Sequence, residues 1–233
     1  MKKILVGLAL FSATLFSDEV YAIFNVRAVQ DANLTLNAIG TIDSIFVDVD
    51  SVVKEGDILL NLQNTDKTAQ VAAIEQQFNF AKKQYERYKR SGDVVDKNTL
   101  DNYLANYKKL EADYMYYKIQ YENTILRAPF DGTIAEKKVE KGDGVVSNNT
   151  ILFRIVSNNK KLVLQFDSKY LNKVKVGDLF EYQIDGQGAS KSATITKIYP
   201  TIDEKTRKIT AEAATESSMK PGLFGDGFIK TRE

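Results

Sequence analysis

The sequence predicts a mostly β protein in three parts: a β-domain split into two halves, an α-helical hairpin inserted between them, and a small β-barrel after them. Three observations carry this. Gly40, Thr41, Ile42, Val47, Val53 and Leu60 recur as Gly132, Thr133, Ile134, Val139, Val145 and Leu152, at one constant offset of 92 residues. A gapless offset is the trace of a duplicated unit. The segment between the copies, 64–123, has the period of a helix. From Leu162 onward, short alternating apolar runs are separated by turn signals at roughly 10-residue spacing, the pattern of a small barrel or sandwich.

The chain opens on Met1-Lys2-Lys3 and an apolar run over 4–16, with Val20-Tyr21-Ala22 offering small residues at cleavage positions. A run of this length is short of the roughly 20 residues that span a bilayer. The pattern therefore predicts a signal peptide over 1–22, cleaved after Ala22, with an uncleaved anchor as the alternative. Residues 23–38 alternate and read as a strand leading into the first half. That half, 23–63, continues through Ile45, Val47 and Val49 at period two, a turn at Lys54-Glu55-Gly56-Asp57, and Ile58-Leu59-Leu60. The second half, 124–157, repeats the scheme with Gly142-Asp143 at its first turn, where Asp50-Ser51 stands in the first half. Gly142 is free to take positive φ.

In the hairpin, Val71, Ile74, Phe78, Ala81, Tyr85 and Tyr88 step by three and four, as do Leu100, Tyr103, Tyr107, Leu110, Tyr114, Tyr117 and Tyr121. This is the seam of a coiled coil. Eight of the 12 tyrosines lie here, with rings expected in the seam and hydroxyls at water. The remaining faces are charged or amide-bearing, so the hairpin projects instead of packing on its own domain. Phe80, Leu104 and Tyr116 lie off the seam and are candidates for contact with neighbouring copies. Pro129 and Asp131-Gly132 end the helical stretch. The barrel occupies 158–233, with strands expected around Leu162–Phe166, Phe180–Ile184, Thr194–Ile198, Ile209–Ala213 and Phe228–Lys230.

Composition narrows the chemistry. The chain has 233 residues, no Cys, no His and a formal charge of +1. Disulfides and thiolate catalysis are excluded, the commonest acid–base group and metal ligand is missing, and bulk charge gives no pull toward nucleic acid. The pairs Asp48/Asp50 and Glu111/Asp113 lie on a strand and a helix surface and read as solvated. Met115 and Met219 read as packing residues. No cofactor, metal site or enzymatic activity is expected.

Taken together, these features resemble the periplasmic adaptor, or membrane fusion protein, family of tripartite efflux and secretion systems. The resemblance rests on Ala128-Pro129-Phe130-Asp131-Gly132, Val139-Glu140-Lys141-Gly142-Asp143, Val176-Gly177-Asp178, the run from Pro200 through Asp203 to Thr206-Arg207, and Pro221-Gly222-Leu223, in that order. It implies a discontinuous lipoyl-like (barrel-sandwich hybrid) domain, an antiparallel coiled-coil hairpin and a small β-barrel, in a short form without the membrane-proximal domain of many members. It further implies a periplasmic protein that bridges an inner-membrane transporter and an outer-membrane channel. In the complex it would self-associate into a ring of about six copies. The likeness is greatest to adaptors of resistance–nodulation–division pumps; an ATP-driven type I system and a non-transport envelope scaffold are the alternatives.

In that family the hairpin tip meets the channel, which points here to Arg87, Arg90, Ser91, Gly92, Asp93, Val94, Val95, Asp96 and Lys97. Arg87 matches the family's tip arginine, the family's leucine has no counterpart, and Asp96 stands where the family has serine and would cap the second helix. Asp203, Thr206 and Arg207 are expected to fix a β-turn, with a transporter or interdomain contact as the second reading. A lipoate or biotin carrier would need a lysine at a tight hairpin between the halves, and 60 residues of helix stand there instead.

Overall fold

The computed structural model describes residues 19–91, 96–186, 188–216 and 219–232. The chain divides into two compact units, one holding the N-terminal strand with everything from Asn159 on, the other Gln30–Asn158.

The second unit carries the duplication. Its strands are β2 (Asp31–Leu34), β3 (Gly40–Ile45), β4 (Val52–Val53), β5 (Ile58–Leu62), β6 (Ile125–Arg127), β7 (Gly132–Lys137), β8 (Gly144–Val145) and β9 (Phe153–Ser157). They form two four-stranded sheets, ordered β2-β9-β7-β4 and β6-β5-β3-β8. Each sheet takes two strands from each copy, so neither copy folds without the other. The offset of 92 residues survives in the pairing: Gly40 opposes Val145 as Gly132 opposes Val53. It survives in the first turns as well, where Asp50 N–H donates to the Ile134 carbonyl and Gly142 N–H to that of Ile42. Both residues are left-handed, Asp50 at φ 70° and Gly142 at 97°. Aspartate is among the few residues other than glycine that visit this region.

The repeat also reaches further back than the motif suggests. Leu34 and Leu36 are buried like Leu126 and Ala128, so the unit starts at β2. Past the second turn the register slips by one. Leu60 pairs with Ile45 as Phe153 pairs with Lys137, so the counterpart of Leu60 is Phe153 and not Leu152. The 146–151 turn holds the additional residue, with Asn148 at φ 53° where the first copy has Gly56 at 88°.

Between β5 and β6 the chain leaves as α1 (Thr65–Arg90) and returns as α2 (Lys97–Glu122). Every seam position expected from the sequence is buried or half-buried. Aromatic rings stack along the seam: Tyr88 on Tyr103 at 4.2 Å, Tyr85 on Tyr107 at 5.7 Å, Phe78 on Tyr107 at 5.8 Å and on Tyr114 at 5.4 Å. Hydroxyls reach the seam edge, where Tyr107 donates to Glu111 and Tyr114 to Glu75. Phe80 and Tyr116 are exposed as expected, while Leu104 is partly covered. Met115 is also 54% exposed, which corrects its reading as a packing residue; Met219 is buried in the barrel.

The first unit is a closed six-stranded barrel, ordered β1-β10-β13-β12-β11-β14, from β1 (Glu19–Ala28), β10 (Lys160–Asp167), β11 (Leu179–Ile184), β12 (Ser190–Ile202), β13 (Lys208–Ala214) and β14 (Phe224–Lys230). β1 corrects the sequence reading twice. Residues 23–28 belong to the barrel, not to the split domain, because they pair with β10 and β14. And the strand begins at Glu19, inside the segment assigned to the signal peptide, with Val20 and Ala22 fully buried. On β14, a Cβ at Gly227 would meet the Glu181 carbonyl oxygen at 2.1 Å. Only glycine lets β14 and β11 approach this closely and close the barrel.

Candidate functional site: hairpin tip and barrel turn

Two small surfaces contain the residues singled out by sequence, one on each unit. At the hairpin tip, α1 ends on a basic turn of Arg87, Lys89 and Arg90. The Arg87 guanidinium lies 5.3 Å from the centre of the Tyr88 ring, a cation–π contact that pre-orients its planar fork. Arg90 turns back to the Glu86 carbonyl through Nε at 3.3 Å, and the Ser91 hydroxyl donates to the Arg87 carbonyl at 3.2 Å. Gly92, Asp93, Val94 and Val95 lie outside the described residues. Beyond them Asp96 caps α2: its Oδ2 accepts from Thr99 N–H at 3.1 Å and from the Thr99 hydroxyl at 3.3 Å. Lys97 follows, exposed, as the first residue of the helix.

The other end of the hairpin is locked differently. Asn64 precedes α1 but makes no side-chain cap. Its Nδ2 instead donates to Thr124 Oγ1 at 3.0 Å, and the buried Thr124 hydroxyl donates to the Tyr121 carbonyl at 2.6 Å. This clamp joins the two strands of chain where they enter and leave the β-sheets. Sequence reading missed it, because one Asn and one Thr 60 residues apart carry no local signal.

In the barrel, Asp203 organises the turn between β12 and β13. Its Oδ1 accepts from Lys205 N–H at 3.0 Å, Thr206 N–H at 2.8 Å and the Thr206 hydroxyl at 3.0 Å. The Thr206 amide and hydroxyl hold its carboxyl below the usual carboxylate range, with a smaller contribution from Lys205 N–H. Arg207 takes φ 55°, its N–H donates to the Asp203 carbonyl at 2.7 Å, and its own carbonyl accepts from Ser168 N–H at 3.1 Å. Asp203 and Thr206 are thus consumed by the turn, and among the described residues the Arg207 guanidinium has no carboxylate within ion-pair distance.

One carboxylate of each acidic pair has a structural partner. Asp48 accepts from Val49 N–H and lies 3.5 Å from Lys137. Glu111 binds Lys108 and Tyr107. Among the described residues no group of three or more His, Cys, Asp or Glu side chains could hold a metal ion, and no helix is long and apolar enough to cross a membrane.

No family model matches the chain. Among curated relatives, an uncharacterized protein of Haemophilus influenzae is 26% identical over 210 residues, covering 89% of this chain and 55% of the relative. The cobalt-zinc-cadmium resistance protein CzcB of Cupriavidus metallidurans is 22% identical over 217 residues, covering 84% and 41%. The nodulation protein NolF of Rhizobium meliloti is 22% identical over 234 residues, covering 92% and 64%. The chain thus spans about half the length of the curated relatives it matches. Among solved structures, a MacA–MexA chimera carrying the Pseudomonas aeruginosa MexA α-hairpin superposes with a TM-score of 0.78 at 20% identity, over 93% of this chain and 80% of that one. A membrane fusion protein of Streptococcus pneumoniae superposes with a TM-score of 0.71 at 15% identity, over 92% and 100%. With split β-domain, hairpin and barrel in the same order, the chain resembles the periplasmic adaptor, or membrane fusion protein, family of efflux systems in sequence and in fold alike.

Proposed function

We propose that this protein is a periplasmic adaptor of a tripartite efflux pump. It would bridge an inner-membrane transporter and an outer-membrane channel and complete a conduit between them, with no bond chemistry of its own. The observation that carries this reading is the hairpin. Its seam is satisfied internally by stacked rings, and α1 alone, at 26 residues, carries the tip about 39 Å from the β-sheets. No packing requirement of the split domain is met at that distance, so the basic end of α1 and the capped start of α2 are free for a partner. In this reading Arg87 offers its fork to carbonyls or carboxylates of the channel, and Arg90, Ser91, Gly92, Asp93, Val94, Val95, Asp96 and Lys97 are the further residues that meet it. The barrel faces the transporter, with Arg207 the residue that the Asp203 turn leaves available.

The test pairs capture with export. Crosslinking in envelope membranes followed by affinity capture of this chain should bring down one transporter and one channel. Arg87→Ala and Val94→Asp should abolish export, read as substrate accumulation in cells, and should lose the channel while the transporter is still captured. Full export by both tip variants would remove the role given to the hairpin.

A further inference from the structure

Asparagine followed two places later by threonine or serine is the acceptor pattern of N-linked glycosylation in exported chains. The chain carries it twice, at Asn33-Leu34-Thr35 and at Asn148-Asn149-Thr150, and the fold treats the two differently. Asn148 sits in the 146–151 turn at φ 53°. Its Nδ2 donates to Asn37 Oδ1 at 3.0 Å, and the Thr150 hydroxyl accepts from Val146 N–H at 3.0 Å. A sugar on Asn148 would replace a hydrogen on a nitrogen that the turn already uses.

Asn33 lies on β2, where side chains alternate. Leu34 and Leu36 are buried, and Asn33 is exposed on the same face as Asp31. Among the described residues neither the Asn33 amide nor the Thr35 hydroxyl makes a side-chain hydrogen bond. β2 is an edge strand, bonded within its sheet to β9 alone. The backbone partners of this segment come late in the chain: β9 opposes 31–34, Leu152 N–H donates to the Leu34 carbonyl and Asn148 N–H to that of Leu36. The whole hairpin and most of the second copy must therefore be made before β2 can pair, a delay on the order of 10 s at about 5–20 residues per second. Over that interval 31–35 is unpaired chain, and Asp31, which Arg154 grips at 2.7 and 2.8 Å in the folded protein, is free. Asn148 has no such interval, because Leu36 and Asn37 are already present when it emerges.

We propose that Asn33 is a site of N-linked glycosylation, with Asp31, Asn33 and Thr35 as the recognised set and a polyprenyl-diphosphate-linked oligosaccharide as the donor. In the transfer, Asn33 Nδ2 bonds to the anomeric carbon of the sugar and the bond from that carbon to the diphosphate oxygen breaks. The diphosphate leaves with the electron pair, the amide gives up one proton, and nothing is oxidised or reduced. Asp31 supplies a negative charge two residues ahead of the acceptor, where a cationic group of the transferase anchors the chain. The folded protein accepts the product, since Asn33 stands exposed at the sheet edge. A bulky polar group there also shields the open side of β2 from pairing with a further strand. The proposal rests on the periplasmic reading above, because the lipid-linked donor and the chain must meet outside the cytoplasm.

The test is mass spectrometry of the full chain recovered from fractionated cells that make it. Trypsin separates the two acceptor patterns, cutting after Arg27 and Lys54 around the first and after Lys141 and Arg154 around the second. The peptide 28–54 should carry a sugar mass on Asn33, and the peptide 142–154 should carry none. Asn33→Gln should remove the added mass from the intact protein, and Asn148→Gln should leave it. Thr35→Val should also remove it, and Thr35→Ser should keep it. Asp31→Ala should lose the mass while Arg154→Ala retains it, because the transferase reads the carboxylate itself; equal loss in both would overturn that role for Asp31. An unmodified Asn33 in chain from the periplasmic or envelope fraction would overturn the proposal and leave the periplasmic reading standing. Chain confined to the cytoplasm would overturn that reading and the modification with it.

Discussion

Along α1 and α2, Ala81 alone is fully buried, whereas the barrel encloses a core that numbers 18 buried residues among those described, Phe24, Phe166 and Phe180 included. The hairpin is held by rings stacked along a single seam, with water on every other side; the barrel is held by a closed wall around a packed interior. Burial on this scale supplies most folding free energy. The barrel can therefore lose contacts and stay folded, and the hairpin depends on each rung of its seam. The same thinness leaves the hairpin surface available to other proteins.

The contrast breaks first in the barrel core. Phe24 is 1% exposed and meets Phe180 and Tyr182 edge-on at 5.7 and 4.9 Å. Phe24→Ala should cost about 3–5 kcal/mol, lowering the urea midpoint of the barrel while the helical circular dichroism of the hairpin persists. Loss of both signals together would mean that the units do not fold independently. Next comes the N-terminus. A chain starting at Ile23 loses the four residues that pair with β14 from Gly227 to Lys230, and with them the burial of Val20 and Ala22. The expected cost is about 3 kcal/mol. Intact-mass measurement of the envelope protein should accordingly find Glu19–Ala22 retained. A mature chain starting at Ile23 with an undiminished barrel melting temperature would show that β1 needs only its second half.

In the hairpin, Tyr107→Asp puts a charge between Phe78 and Tyr85, the two rings on which Tyr107 stacks. A penalty on the order of 2 kcal/mol is enough to melt helices this thinly held. Helical circular dichroism should fall while the β-signal stays, because the two sheets interlock both copies of the repeat without help from the helices.

Acid sharpens the same comparison. Burial raises the proton affinity of Glu212, but Lys161 and the Tyr199 hydroxyl outweigh it and hold the carboxyl below its usual range. In the split domain Arg154 does the same for Asp31 and Glu136, through a fork at 2.7 and 2.8 Å to Asp31 and a bond at 2.9 Å to Glu136. A carboxylate whose folded pKa is lowered contributes stability above its unfolded pKa and loses it as the pH falls through the folded one. Both β-units should therefore weaken as the pH drops past the ordinary carboxylate range near about 4.3. Glu212→Gln should flatten that acid limb for the barrel and leave the split domain's unchanged. An unaltered acid limb would take Glu212 out of the pH response.

Much of this was legible because period and repetition are local properties of a sequence. The seam, the offset of 92 residues and the left-handed turn at Gly142 all depend on residues a few positions apart or on a copy that can be compared. β1 was not legible. Its apolar residues, Val20, Ala22, Phe24 and Val26, begin inside a stretch that also satisfies the pattern of an export signal, and nothing local says that its partners are β10 and β14, more than 130 residues away. The slip from Leu152 to Phe153 was hidden for a related reason: Leu, Leu and Phe are interchangeable as apolar letters, both Leu152 and Phe153 are buried, and only pairing shows which one is the counterpart of Leu60. At the tip, Arg87 and Asp96 stood out by type and place, but the Asn64–Thr124 clamp needed coordinates.

The two starts of the hairpin helices give the finest test. α1 begins where Asn64 is already tied to Thr124 and the sheet behind it, so its first turn is held without a side-chain cap. α2 begins at the far end, where among the described residues Asp96 is the side chain that accepts from its leading amides. Asp96→Ala should cost about 1 kcal/mol, and Asp96→Ser should cost far less, because a hydroxyl can accept the same Thr99 N–H. The loss should be local: amide hydrogen exchange should quicken over the first turn of α2 and stay unchanged at Leu110 and beyond. Asn64→Ala should instead quicken exchange at the base, around Tyr121 and Thr124, and leave the tip as it was. If Asp96→Ala left the first turn of α2 as protected as before, the cap would not be what shapes the tip, and the loop's form would have to come from the partner it meets.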